Sequence, residues 1–367
     1  MEALVVGGTG PTGPHIVKGL LGRGYRVSIL HTGNHESEEI PPEVEHIHTD
    51  PFSRDAVEKA LGKRNFDLAM LTYGRLRELA ALLVGRVGRL LSVGGTPVYR
   101  GFASSDAVWP EGLAVPTRED APQVGPDEHP YLLKIRETEE TLFALHPEAT
   151  HFRYPLVYGP RQHVPREWLV VRRILDGRPY IILPDGGLSL RSCGFAENIA
   201  HAVLLAVDAP SVAAGKAYNV GDEQTTTLRQ FVEIIRRALD VDLEIIAMPV
   251  ELAITARPLL MNAVSDHLVT DIGAIRHDLG YRDRVPASDA IARTARWLAE
   301  HPEERGGPAE RSMQDPFDYA TEDRIVEAWR SARASALAVV AAVDPGYRTH
   351  FARGSKLRPP RLGTRVP

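Results

Sequence analysis

The feature that most restricts how this chain can fold lies at its start. The apolar run Leu4-Val5-Val6 leads straight into Gly7-Gly8-Thr9-Gly10-Pro11-Thr12-Gly13, with Gly7, Gly10 and Gly13 at every third position. An amphipathic helix follows at once, with Ile16, Val17, Leu20 and Leu21 on one face and an end near Gly22 and Gly24. A second strand is predicted over residues 25–30. Strand, glycine turn and helix N-terminus together make an anion-binding device. Backbone approaches a pyrophosphate where no side chain intervenes, and the helix dipole and free N–H groups point at it. In this context the turn predicts a dinucleotide held by Gly7, Thr9, Gly10, Pro11, Thr12 and Gly13.

The stretch after the second strand reads His31-Thr32-Gly33-Asn34. Here an NAD-selective site places a carboxylate for the adenosine ribose, and an NADP site places an arginine. Neither is present, and loss of the repulsive carboxylate tips the expectation slightly toward NADP. His31 and Thr32 are the candidate contacts. Residues 44–50 alternate as a third strand on which His46 and His48 share a face. No further His or Cys stands near them at a metal-site spacing, so the pair is read as a solvated face and no metal is expected. Asp50 either meets the adenine amino group or simply starts a loop.

Helices are predicted over 54–61 and 76–84, and strands over 66–72 and 88–95. Alternation of strand and helix with short turns predicts a parallel sheet with right-handed crossovers. Thr72, Tyr73, Ser92, Gly94, Gly95 and Thr96 then lie at the strand ends facing the ligand. Residues 97–130, rich in Pro, Gly and charge, read as a long loop of the kind that often serves as a lid. A helix over 131–145, a strand over 150–154 and a helix over 166–176 follow.

With 367 residues the chain has room for two domains, and its 43% apolar and 25% charged content is ordinary for a globular protein. A net charge of −5 provides no global attraction to nucleic acid or anionic lipid. The single cysteine, Cys193, excludes an intrachain disulfide and suggests a reducing compartment. The first strand begins too early for a cleavable signal peptide, and the apolar run at 336–343 is far below the roughly 20 residues that span a bilayer. A cytoplasmic location is the expectation.

The motifs in series resemble the extended short-chain dehydrogenase/reductase superfamily, the NAD-dependent epimerase/dehydratase group. The marks are the opening glycines, Val98-Tyr99, Lys134 with Glu137, Arg153-Tyr154, and Val157-Tyr158-Gly159-Pro160-Arg161. Arg191 with Glu197-Asn198-Ile199-Ala200, Ala217-Tyr218-Asn219-Val220-Gly221, Asp278-Leu279-Gly280-Tyr281 and Trp297-Leu298 continue the series to about residue 300. The resemblance implies a Rossmann-type doubly wound parallel sheet (1–156), a smaller α/β substrate domain (157–300) and a C-terminal helical extension (301–367). It implies an NAD(P) cofactor touched also by Lys134 and Tyr154, a small carbonyl or hydroxyl substrate met by Arg161 and Arg191, and a homodimer.

Family enzymes use a Ser/Thr, a Tyr and a Lys, with Tyr and Lys four residues apart; the Tyr moves the proton and the Lys lowers its pKa. Here Pro130 stands four residues before Lys134, Tyr131 stands three before it, and Gly95 occupies the serine position. The catalytic candidates are therefore Tyr131, Lys134 and Thr96. The alternative is a non-catalytic NAD(P)-binding sensor, or an RNA-binding type of atypical member, although the acidic balance argues against nucleic acid. Pro184-Asp185-Gly186-Gly187 reads as a hairpin turn. Residues 301–308 read as a polar linker, 321–343 as a helix capped by Thr321, and the stretch after Asp344 as a solvated basic tail.

Overall fold

The computed structural model describes residues 1–262 and 264–343, so the basic tail lies outside the described residues. Residues Met1–Phe317 form one compact unit, and the chain from Asp318 a second. Strands β1 (Glu2–Val6), β2 (Arg26–His31), β3 (Glu45–His48), β4 (Phe66–Leu71), β5 (Val87–Gly95) and β6 (Thr150–Tyr154) realise the six predicted strands. With Lys216–Asn219 they form a seven-stranded parallel sheet in the order Lys216–Asn219, β6, β5, β4, β1, β2, β3. The strand order reverses at β1, which has β4 on one side and β2 on the other. A crevice outside the carboxyl ends of the strands opens at such a switch point.

Helices α1 (Gly13–Leu21), α2 (Arg54–Leu61), α3 (Leu76–Leu82) and α4 (Pro130–Leu145) flank the sheet. Successive residues of β1 feed opposite layers, as they must in a strand buried on both faces. Ala3 and Val5 join Ile16, Val17 and Leu20 of α1 and Ile199 and Val203 of the helix Ala196–Asp208. Leu4 and Val6 join Val57, Leu61, Leu79 and Leu142 from the other three helices.

Three local expectations change. Pro184-Asp185-Gly186-Gly187 is not a hairpin: Tyr180–Pro184 pairs in parallel with Glu244–Met248, whereas Leu190–Arg191 pairs antiparallel with Thr226–Thr227. The turn hands the chain from one small sheet to another, a connection that turn residues alone do not distinguish from a hairpin. Residues 301–308 are not a free linker, because Arg305 pairs with Asp176 and Gly306 N–H donates to Glu310 at 2.7 Å, a carboxylate that also accepts from Trp168 Nε1 at 2.8 Å. In the second unit the helix runs Tyr319–Val340 and its cap is Asp318, which accepts from both the backbone N–H (3.1 Å) and the hydroxyl (2.6 Å) of Thr321. Among the described residues no helix is long and apolar enough to cross a membrane.

A buried polar network holds α4 to the sheet. Arg153 of β6 donates to both oxygens of Glu139 on α4, at 2.9 and 2.6 Å, and its remaining nitrogen reaches the Tyr99 hydroxyl and the Glu119 carbonyl, each at 2.8 Å. Tyr99 in turn donates to Asn219 Oδ1 at 2.6 Å. Burial by itself would raise the Glu139 carboxyl, but Arg153 and its other polar neighbours hold it below the usual range. Glu137, two residues earlier on α4, pairs at the surface with Arg77, so the buried acid of this helix is Glu139. His151 lies alongside with its Nδ1 2.6 Å from Ser92 Oγ, and burial drives its pKa down to about 4.

Removing one partner of a buried ion pair leaves a charge unmatched, so Glu139→Gln is expected to cost about 3–5 kcal/mol in urea unfolding. Pairing Arg153→Met with Glu139→Leu should cost less than the sum of the two single changes. A second expectation concerns pH. His151 has a folded pKa below its unfolded value near 6.5, so the unfolded chain binds the proton first as pH falls. Stability contributed by the neutral ring is complete above pH 6.5 and lost as pH drops toward 4, an effect of about 3 kcal/mol. Melting curves of His151→Phe across that window should show a shallower decline than those of the parent.

Candidate cofactor and active site

The three glycines of the turn do three different jobs. Gly7 lies at φ +105°, and a Cβ there would sit 2.2 Å from Thr72 Oγ1. A Cβ on Gly13 would sit 2.1 Å from the Gly8 carbonyl oxygen, so only glycine lets α1 close onto the strand end. Gly10 is different, since nothing lies within 4 Å of where its Cβ would be. It is the one whose backbone is open to a ligand. No side chain caps α1 at Thr12, and no acidic residue stands in its first turn, which leaves the helix's positive end free for an external anion.

The buried Tyr154 hydroxyl faces the Thr12 side chain at the start of α1, and burial raises its pKa. An open glycine cradle at the uncapped end of a helix fits the pyrophosphate of a dinucleotide. Across the crevice, Thr9, Gly10 and Pro11 share a cleft with Pro160, Arg161 and Arg293. Arg161 thus stands at the glycine turn, in an ion pair with Glu39, which also binds Lys18 at 3.3 Å. Arg191 lines another cavity, with Tyr158, Arg166, Glu167, Cys193 and Asp222, and donates to the Leu260 carbonyl at 2.8 Å. Burial, with Arg166 nearby, lowers its pKa to about 10.

Other candidates have local partners. Thr72 Oγ1 donates to the Val6 carbonyl at 2.7 Å and so braces the glycine turn from beneath. Asp50 accepts from Phe52 N–H at 2.9 Å, the geometry of a loop start. Thr32 Oγ1 accepts from Asn34 N–H at 3.3 Å. His31 is buried at the end of β2, with its Nε2 3.1 Å from His46 Nδ1. Gly94 faces His151 rather than open space, because a Cβ there would meet that ring at 2.3 Å.

The proposed proton-transfer set is split by burial. Thr96 is buried and opens a short 3₁₀ turn, Thr96–Val98. Tyr131 and Lys134 are exposed, on the first turns of α4, where Pro130 enters the helix and His129 Nδ1 accepts from Tyr131 N–H at 3.1 Å. A Cβ on Gly95 would lie 3.0 Å from Pro97 Cδ, so the serine position is tight as well as empty. Two features escaped the sequence reading. Glu139 shares a buried stripe with Leu142 at helical spacing, a signal that was available. The clustering of His31 and Glu36 with His46 and His48 comes from strand register and had no linear signature.

Gly13→Ala is expected to destabilise the chain by about 1–3 kcal/mol through overpacking, read by chemical denaturation. Gly10→Ala should leave stability within about 1 kcal/mol and act on dinucleotide binding instead.

Residues 98–221 match the family model described as NAD dependent epimerase/dehydratase family. The uncharacterized protein YbjS of Escherichia coli K12 is 29% identical over 140 residues, a match that covers 33% of this chain and only 42% of that protein's length. Among solved structures, UDP-glucose 4-epimerase of Thermotoga maritima, with UDP-glucose, superposes at a TM-score of 0.66 and 18% identity, covering 83% of this chain and 100% of that one. DesIV, a dTDP-glucose 4,6-dehydratase of Streptomyces venezuelae with NAD and TYD bound, gives 0.62 at 21% identity, covering 82% and 97%. WbmH of Bordetella bronchiseptica, in complex with NAD+, gives 0.65 at 17%, covering 82% and 99%. At such identities these structures establish the fold. Residues 98–221 thus match the NAD dependent epimerase/dehydratase family model, and over 82% of its length the chain shares the fold of a dTDP-glucose 4,6-dehydratase.

Proposed function

We propose that the chain binds NAD(P) in the crevice above Gly10 and acts as an oxidoreductase or epimerase/dehydratase-like enzyme on a small carbonyl or hydroxyl compound. The observation that carries the binding half is the open backbone at Gly10 ahead of the uncapped end of α1. A bound nicotinamide supplies the hydride chemistry. The chain's own residues bind, orient and move protons: the free end of α1 and Arg161 meet the pyrophosphate, and Lys134 orients the nicotinamide ribose. Tyr131 supplies the proton once α4's first turn closes on substrate. Arg191, in its cavity with Arg166, is the candidate anchor for an anionic group on the substrate.

The modest preference for NADP rests on the absence of an acidic residue from 31–34 alone; the Glu36 carboxylate lies beside His31 at the end of β2 and offsets it. One observation favours a second reading, a cofactor-binding sensor without hydride transfer. Tyr131 is 66% exposed, and Gly95 leaves no hydroxyl at the serine position.

Titration of NADH and NADPH by ligand fluorescence should give saturable binding that Gly10→Ala weakens at least tenfold. Loss of turnover in Tyr131→Phe on a carbonyl panel, with cofactor affinity unchanged, is the expected outcome for the enzyme. Tight binding with no hydride exchange on any panel member would favour the sensor, and no binding of either nucleotide would refute both.

A further inference from the structure

The parallel register of β2 on β3 sets His31 opposite His48 and Ile29 opposite His46. Alternation then puts all three imidazoles on one face of the sheet, where their rings meet edge to face at centroid distances of 5.1, 4.9 and 5.8 Å. Glu36, in the loop leaving β2, folds its carboxylate onto the same point. His31 Nε2 and His46 Nδ1 are 3.1 Å apart, His46 Nδ1 and Glu36 Oε2 3.2 Å, His48 Nε2 and Glu36 Oε1 3.1 Å, and His31 Nε2 and Glu36 Oε1 3.9 Å. The four ligand atoms all lie within 4.8 Å of one another.

These spacings have a simple geometric meaning. A tetrahedral cation with metal–nitrogen bonds of about 2.0–2.1 Å holds its ligand atoms about 3.3 Å apart, the edge of the tetrahedron. Hydrogen bonding explains the contacts in pairs, but one carboxylate and three ring nitrogens converging on one point exceed what pairwise bonds require. From this convergence we propose that His31, Glu36, His46 and His48 form a binding site for a divalent transition metal of the zinc class.

Imidazole and carboxylate without thiolate suit zinc, cobalt(II) and nickel(II). His31 forms the floor, with its side chain 3% exposed, while His48 (55%) and Glu36 (51%) form a rim open to an incoming ion. Gly33 N–H points at His31 Nδ1 across 3.3 Å, which puts the ring proton on Nε2. Capture of a cation at Nε2 moves that proton to Nδ1 at the expense of this long contact. Four protein ligands close the coordination sphere, so the site is structural. It pins the loop after β2, which also carries Glu39, the partner of Arg161 at the glycine turn. The proposal stands on this cluster alone and does not depend on cofactor binding.

The test uses the untagged full chain, stripped with chelator and titrated with zinc and with cobalt(II). About one metal per chain by mass spectrometry, a tetrahedral cobalt spectrum and a higher melting temperature with zinc are expected. His46→Gln/His48→Gln should weaken zinc binding by at least about 100-fold, since even loss of an outer-shell partner costs 10–100-fold. Glu36→Gln, on an exposed loop, provides a second variant if the first folds poorly and should also weaken binding. His35→Gln alters a histidine outside the cluster and should bind as the parent does. Failure to retain zinc at micromolar free metal would overturn the proposal, as would unchanged zinc affinity in both cluster variants or an equal loss in His35→Gln.

Discussion

The bidentate contact between Arg153 and Glu139 is the interaction on which the arrangement of this molecule depends. Both groups are buried, so neither finds water if the other leaves, and the pair is stable only while all of its hydrogen bonds are made. Completing that set recruits four separate pieces of chain. Arg153 comes from β6, Glu139 from α4, Tyr99 from the turn after β5, and Asn219 from the seventh strand of the sheet. Asn219 extends the set by donating to the carbonyls of Thr117 and Asp271, each at 3.1 Å. The long loop over 97–130 is thereby tied to the sheet edge, with short turns and the single bridges Tyr99–Gln123 and Thr117–Thr270 as its regular pairing among the described residues.

This network also explains why the family resemblance is strong while the catalytic pattern is weak. Several of the marks that carry the resemblance, Val98-Tyr99, Arg153 and the Tyr218-Asn219 pair, are parts of the network or pack directly beside it. They specify how the strands, α4 and the loop meet. The motif series is thus mainly a record of scaffold. The positions proposed for chemistry, Gly95, Tyr131 and Lys134, lie outside the network, and there the chain departs from the pattern it resembles.

What was legible in the sequence follows the range over which each signal acts. The glycine turn, the six strands and α1 to α4 are local patterns, and α2 falls on its predicted residues. The choice between Glu137 and Glu139 is tertiary: both sit on a helix rich in acids, and only packing against β6 selects one. The turn at 184–187 failed for the same reason, because residues that bend a chain do not say which sheet receives it. The imidazole cluster is the extreme case. His31 lies 15 residues before His46, and their meeting is a consequence of strand register that no linear spacing records.

The two ends of α4 point to how binding and catalysis are separated here. The middle and far part of the helix is fixed by Glu139 in the network, by Leu142 in the core, and by Arg136 donating to the Val124 carbonyl at 2.7 Å. The first turns, with Tyr131 and Lys134, are exposed and lack comparable anchors to the sheet. At the glycine turn the opposite holds: Thr72 braces Gly7 from beneath, and α1 closes on Gly8 through Gly13. The surface proposed for the dinucleotide is thus preformed, whereas the end of α4 proposed for proton transfer is exposed. Under the proposed function, cofactor affinity and turnover then respond to different residues, because the two sites rest on parts of the fold anchored to different extents.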